Sequence, residues 1–367
     1  MFVPSTLDDI TPDWLSGVLS ASGAMPDGSV SEVALKAEPR LDELRVGIVA
    51  EYDGPVPLTL PRFYTLRCSL LRPALLQADW MREETNFCRL VAPRIHTALA
   101  NPPVPMVYGS GYERQSGRGF ILNQDVTHTH TTLSGPLPPT LAFMRQAVDA
   151  LAAFHAYWWD HQDLGELCEP PNSREEESYT GQLVNLMPEF LDAIAEVTPI
   201  SFRHLLMQAI EDRIALIPRI LSGSNWSVRN SAPLASRFAY PLNDQTHGML
   251  LTYWAYWTVS APAHDLCCLI GCSLPAEQRR RQETYLVRRY WQGLIAGGVK
   301  GYSWRQCWFD YGLYMASVVF TPVWRWISGY PTQAWWPLLL LVLEAYQDLR
   351  RPSAHYAGML PSPVHST

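Results

Sequence analysis

No run of apolar residues in this 367-residue chain is long enough to cross a bilayer. The longest, Leu338 to Leu343, falls far short of the roughly 20 residues that a spanning helix needs. Met1 to Leu15 carries acids and prolines where a secretory signal would carry a basic start and an apolar centre, so a cytoplasmic protein is expected. There is no Lys/Arg run and no basic amphipathic helix, and the formal net charge is -7, which argues against nucleic acid or a membrane surface as partner. Seven cysteines are scattered without zinc-ligand spacing, Cys267 and Cys268 being adjacent, and read as reduced buried thiols. Internal repeats and low-complexity tracts are missing, as is a Gly-x-Ser-x-Gly nucleophile turn. What is abundant is aromatic: 14 Trp and 17 Tyr, in a chain 47% hydrophobic and 17% charged. Such a composition suits a globular protein with a sizeable core, and some of the aromatics could line an apolar cavity.

Local signals divide the chain in two. Thr11-Pro12-Asp13 starts a helix with a capping hydroxyl, a proline in the first turn and a dipole-favourable acid. Alternation predicts strands within 30–53 and at Phe63–Cys68, then a helix from Asp79 to Leu90, then strands at Val107-Tyr108 and Gly119–Leu122. Beyond Asp125 the pattern turns helical. Phe143, Met144, Ala147, Val148, Leu151, Phe154, His155 and Trp158 repeat at helical spacing, and helices are expected near 179–196, 201–221, 275–296, 303–320 and 334–350.

The stretch from Gly248 to Leu274 holds a short apolar strand (Met249, Leu250, Leu251), an aromatic cluster (Tyr253, Trp254, Tyr256, Trp257) and an apolar helix opened by His264-Asp265. It resembles the metal-binding strand and following helix of the aminoglycoside phosphotransferase and choline kinase-like family. The resemblance implies an α+β, protein-kinase-like fold of two lobes. The lobes would be a small N-terminal α+β lobe over 1–125 and a larger, mainly helical lobe over 126–352, with a tail over 353–367 and a hinge near Gln124-Asp125.

The resemblance also locates the residues that differ. Asp265-Leu266 is intact, and Asp265 is expected to be structural, accepting backbone N–H groups at its helix start. Tyr253 stands where the family's magnesium-holding carboxylate would be. Glu84 matches the helix glutamate that pairs with a strand lysine, but the strand offers Arg67; both are expected to be structural. Val228-Arg229-Asn230 is the best match to the catalytic loop, placing Asn230 at the base position and Ala235 at the second ligand position. The region matching the phosphate loop, Arg40 to Gly47, has one glycine and two acids. His155 reads as a packed core histidine. Thr127 to Thr131 carries His128 and His130 without a nearby carboxylate or cysteine to complete a metal site.

Base, metal ligands and glycine loop are thus missing together, while aromatics stand where charge was lost. The expectation is an enzyme of secondary metabolism that needs no cofactor and no metal. It would fold an apolar small molecule for cyclisation or isomerisation, for example of the Diels–Alder type, in an aromatic interlobe pocket. Asn230, Arg229 and Tyr253 are the expected catalytic residues; Trp254, Trp257, Trp304, Trp308, Tyr311 and His128 are expected to contact substrate. The alternatives are a non-catalytic pseudokinase that binds a partner and a divergent ATP-dependent phosphotransferase. The sequence leaves the oligomeric state open.

Overall fold

The protein is described by a computed structural model over residues 2–39, 43–69, 80–133, 138–243 and 248–350. The expected tail over 353–367, the helix start at Asp79, Arg40–Asp42 of the expected phosphate-loop region, and His247 lie outside the described residues.

The chain opens with α1 (Pro12–Ala21), β1 (Ser29–Pro39), β2 (Glu43–Asp53) and β3 (Phe63–Ser69). Next come α2 (Trp80–Leu90), α3 (Ala92–Ala98), β4 (Val107–Glu113), β5 (Arg118–Gln124) and β6 (His130–Thr132). The middle holds α4 (Leu141–Trp158), α5 (Leu164–Leu167), α6 (Ser173–Ala193), α7 (Ile200–Ile220), β7 (Ser227–Arg229), β8 (Phe238–Pro241), β9 (Leu250–Leu251) and β10 (Thr258–Ser260). The last part is helical: α8 (Ala263–Ser273), α9 (Ala276–Ala296), α10 (Trp304–Val318), α11 (Thr321–Ile327) and α12 (Thr332–Arg350). Two compact units result, one made of Met1–Thr132 and Ala239–Trp257, the other of Leu133–Phe238 and Thr258–Thr367.

The first unit is built on an antiparallel sheet of order β1-β2-β3-β5-β4. Strand alternation turns Leu66 and Cys68 of β3, with Val46, Ile48 and Ala50 of β2, toward Leu15, Val18 and Leu19 of α1 to form its core. Arg67, one step out of phase, leaves that face and meets α2. A Cβ on Gly119 of β5 would sit 2.5 Å from Met81 of α2, so only glycine lets that helix lie so close to the sheet. Part of the region matching a phosphate loop is therefore strand: from Glu43 onward its residues belong to β2. A second sheet of the same unit, β6-β8-β9, carries the chain into Tyr253–Trp257.

The second unit is mainly helical. Thr140 caps α4, accepting from the Phe143 N–H at 3.2 Å. A Cβ on Gly293 of α9 would lie 2.7 Å from that of Ala152 on α4, so small residues set the spacing of this pair. Helix α8 is buried from Ala263 to Cys272, and apart from His264 and Asp265 in its first turn that buried stretch is apolar. Helix α6 begins at Ser173, ahead of the expected 179, because the Asn172 side chain caps it by accepting from Glu175 N–H at 3.0 Å.

Candidate functional site

In the first unit the sheet places Arg67 between two acids. Its Nε donates to Glu43 Oε2 at 2.8 Å and its Nη1 donates to Glu84 Oε1 at 2.7 Å. Glu43 reaches it because the β2–β3 register sets Arg45 opposite Arg67, with Glu43 opposite Ser69 on the same face. Arg45 donates to the other Glu43 oxygen at 3.1 Å. Two guanidinium groups and two carboxylates therefore balance. Burial would push Glu43 up, but the charges of Arg67 and Arg45 outweigh it and hold the carboxyl below its ordinary range. Arg67 is 4% exposed, and this clamp leaves its charge fully matched.

The aromatic segment after β9 is fastened to the same helix. The Trp254 N–H donates to Glu84 Oε1 at 3.0 Å, and its indole stacks on Phe87 with centroids 4.0 Å apart. The Trp257 indole N–H donates to the Glu83 carbonyl at 2.7 Å. Trp254 and Trp257 are thus buried against α2, whereas Tyr253 is half-buried. The Tyr253 ring lies 5.4 Å from the Arg67 guanidinium carbon and 5.9 Å from the Tyr256 ring. Also in this unit, His128 is exposed and packs on Phe63 at 4.8 Å, while His130 Nε2 lies 2.9 Å from the Gly248 carbonyl oxygen.

In the second unit Asp265 is the centre. Its Oδ2 accepts from the Asn230 backbone N–H at 2.5 Å and its Oδ1 from the Ser231 N–H at 2.9 Å. The carboxylate therefore serves the loop after β7 and not the start of its own helix, where no side chain caps α8. Two histidines flank it: His155 Nε2 at 3.5 Å from Oδ2 and His264 Nδ1 at 3.6 Å from Oδ1. The other ring nitrogen of His155 bonds the Tyr290 hydroxyl of α9 at 2.9 Å. Burial would push Asp265 up, but the His155 and His264 imidazoles beside it win and hold it below the usual carboxylate range. Burial pushes His264 the other way, and the Arg229 charge adds to it, lowering this imidazole to about 4.

The loop that Asp265 holds is itself turned. Ser231 takes φ 71°, in the left-handed region, and the Asn230 Oδ1 accepts from Ala232 N–H at 3.2 Å. Arg229 ends β7 opposite Thr258 of β10 and makes no ion pair with any described residue. Trp304, Trp308 and Tyr311 lie together on α10, apart from this loop's hydrogen bonds. Trp308 and Tyr311 are buried, the Tyr311 hydroxyl donating to Glu283 Oε1 at 2.6 Å, and Trp304 lies under the Arg288 guanidinium at 4.8 Å.

No family model matches the chain, and no curated protein matches its sequence. Solved structures do. One is a protein from Ralstonia eutropha JMP134 described provisionally as an aminoglycoside phosphotransferase, at TM-score 0.53 and 14% identity over 92% of this chain and 98% of that one. A second is the GDP complex of an aminoglycoside 2'-phosphotransferase of type IIIa carrying a point mutation, at 0.52 and 14% over 93% and 100%. A third is an ethanolamine kinase of Plasmodium vivax, at 0.50 and 10% over 87% and 82%. The chain has a protein-kinase-like fold. The likeness found in the sequence is one of architecture: an antiparallel N-terminal sheet with its helices, and a mainly helical C-terminal part.

Within this kinase-like fold the expected residues fall into three groups, with His128 apart on Phe63: Arg67, Glu84, Tyr253, Trp254 and Trp257; Arg229, Asn230 and Asp265; and the α10 aromatics. Sequence reasoning did not find Glu43 as the second acid on Arg67, the two histidines on Asp265, or Arg213. Arg213 had a signal. It falls on the apolar stripe of α7, with Leu206, Ala209, Ile210 and Leu216, where a cation marks a buried partner.

Proposed function

We propose that the chain is an enzyme of small-molecule secondary metabolism that uses a kinase fold without phosphoryl transfer. It catalyses a metal- and ATP-independent cyclisation or isomerisation, of the pericyclic kind, on an apolar substrate. The observation that carries this reading is the Arg67 clamp. A cation that contacts phosphates needs charge to spare, and Arg67 is shared between Glu43 and Glu84 in a buried setting. No lysine stands in for it: the sequence has two, Lys36 and Lys300, and both are exposed.

By the resemblance, the base and the magnesium ligands fall at Asn230, Ala235 and Tyr253. An amide, a methyl and a phenol supply no carboxylate for a hard cation or for the substrate proton. The residues present do not fit a magnesium nucleotide. They do suit positioning. Within the first unit Tyr253 and Tyr256 keep half-buried ring surfaces, and within the second Arg229 keeps an unused Nε donor. Holding the reactive ends of a flexible polyene together can lower a barrier by up to about 7–11 kcal/mol. A hydrogen bond to a polarised carbonyl contributes about 1–3 kcal/mol more.

A divergent phosphotransferase is the second reading, favoured by the GDP complex of an aminoglycoside phosphotransferase that shares the fold. One experiment separates them. Purified protein is incubated with linear polyene intermediates without nucleotide or metal, and its melting temperature is followed with millimolar Mg-ATP. The cyclase reading expects products beyond the protein-free control and no melting shift. A magnesium-dependent rise supports the phosphotransferase, since a ligand of the native state stabilises it by mass action. Products identical to the control, with no shift, leave a non-catalytic binding protein.

A further inference from the structure

The second unit holds a set of buried polar atoms that bond to none of the described residues. They are Nε and Nη1 of Arg213, Nε of Arg229, the hydroxyl of Tyr314 and Oγ of Ser231. They come from α7, the end of β7, α10 and the loop that Asp265 holds. Buried donors in native proteins are paired almost without exception, so several orphans in one place call for a missing partner.

The place is one. Arg213 lies over the Tyr179 ring of α6 at 5.0 Å, and the Tyr179 hydroxyl accepts from the Trp324 indole N–H at 2.7 Å. The charges of Arg213 and Arg229 act together on Tyr179, on His264 and on Tyr314. The two cations differ in their partners. Arg213, 4% exposed, has Glu176 as its ion-pair partner, while Arg229 has none among the described residues. Arg219 nearby adds nothing, because both oxygens of Asp310 take its guanidinium at 3.1 and 2.8 Å. His264 stays neutral near pH 7, and burial keeps the Tyr314 phenol protonated as a donor. Ionised Asp265 offsets the charge in sum, but its oxygens are taken by the Asn230 and Ser231 N–H groups, so Arg229 is left without an ion-pair partner among the described residues and the guanidinium and hydroxyl donors stay unused.

We propose that this cluster binds a carboxylate carried by the substrate. A planar carboxylate accepts two N–H bonds from a guanidinium edge, and the Tyr314 hydroxyl supplies a further donor. Its negative charge gives Arg229 the ion-pair partner it lacks, whereas an amine would meet two guanidinium groups. The substrate class is then an apolar acid, such as a polyenoic acid. This deepens the reading of a small-molecule enzyme, and it is tested by binding alone, without turnover.

The probes are sorbate and octanoate, their neutral amides, and inorganic phosphate, followed by calorimetry and melting temperature on the full chain. Both carboxylates should bind and raise the melting temperature, while the amides should not. Arg229→Met and Tyr314→Phe, which keep volume, should each weaken carboxylate binding about tenfold or more. Ligand-free Arg229→Met should melt at or above the wild type, because it removes an unmatched buried donor. The proposal is overturned if neither carboxylate binds, if phosphate binds better than both, or if the variants bind equally well. It is equally overturned if ligand-free Arg229→Met melts several degrees lower, which would make Arg229 a structural group. Carboxylate binding without conversion of any polyene would overturn the cyclase reading and leave the site standing.

Discussion

The backbone N–H of Asn230 donates to Asp265 Oδ2 at 2.5 Å, across 35 residues of chain. Together with the Ser231 N–H on Oδ1, this bond fixes the turn in which Arg229 and Asn230 sit, so Asp265 shapes the loop through its backbone. Replacing Asp265 by Ala leaves two buried N–H groups without acceptors and two histidines without their carboxylate. The two stranded N–H groups cost about 1–3 kcal/mol each. Asp265→Ala should therefore lower stability by about 2–5 kcal/mol, read from the urea midpoint at constant slope. Full stability with lost function would mean that Asp265 acts in the chemistry itself.

Acid should destabilise the protein through His264. Its folded value of about 4 lies below the ordinary 6.5, so between those values the unfolded chain takes up a proton that the native state refuses. Stability then falls as pH drops through that window and levels off below it. The full span corresponds to at most about 3 kcal/mol. The groups that face this imidazole are Asp265, Arg229 and Arg213. Asp265 is already ionised throughout the window, since both its ordinary and its folded values lie below it. His96, lowered by burial, contributes in the same direction. Urea titrations from about pH 8 to pH 4.5 should show a shallower loss for His264→Gln than for the wild type. Equal slopes would assign the acid sensitivity to His96 or to another group.

Much of the architecture is legible because it is local. Thr11-Pro12-Asp13, the strand alternation around Leu66 and Cys68, and the spacing from Phe143 to Trp158 each lie within a few residues of chain. The sites are assembled from distant pieces. Glu43 meets Arg67 across 24 residues, His155 meets Tyr290 across 135, and Trp254 meets Glu84 across 170. Strands of two to four residues, such as β6, β8 and β9, are too short to show a period. Trp254 and Trp257 stand in a segment rich in rings between β9 and β10, which looks the same in sequence whether the rings face a ligand or a helix. Only the stack on Phe87 and the bond to Glu83 place them against α2.

Removing the charge of Arg67 should be costly, because Glu43 and Glu84 would remain buried and unmatched apart from Arg45. Arg67→Met should lose about 3–5 kcal/mol, the range for breaking a buried ion pair. Adding Glu84→Gln should return part of that loss, with a coupling of about 1 kcal/mol or more in a double-mutant cycle. Arg67→Lys cannot reach both acids with a planar fork, so it too should destabilise, and it should not confer a melting shift with Mg-ATP. Additive losses would show that the three groups do not act as one clamp.

Tyr253 and Trp254 are neighbours in sequence with different environments, and they should separate folding from function. Trp254 is 3% exposed, stacks on Phe87 and gives its indole N–H to the Leu251 carbonyl at 3.0 Å. Trimming it to Ala opens a cavity and strands an acceptor, at a cost of about 3–5 kcal/mol. Trp257, anchored to Glu83, should behave in the same way. Tyr253 is half-buried, and its ring covers the Arg67 guanidinium at 5.4 Å, a contact contributing about 0.5–1 kcal/mol at a partly open site. Tyr253→Ala should therefore melt within a few degrees of the wild type. In the polyene assay the same variant should lose rate, or the ratio between ring products, by tenfold or more, because the proposed function uses the Tyr253 ring as the surface against which a substrate is ordered. A Tyr253→Ala protein that forms the same products at the wild-type rate would remove this residue from the site, and with it the aromatic half of the cyclase reading.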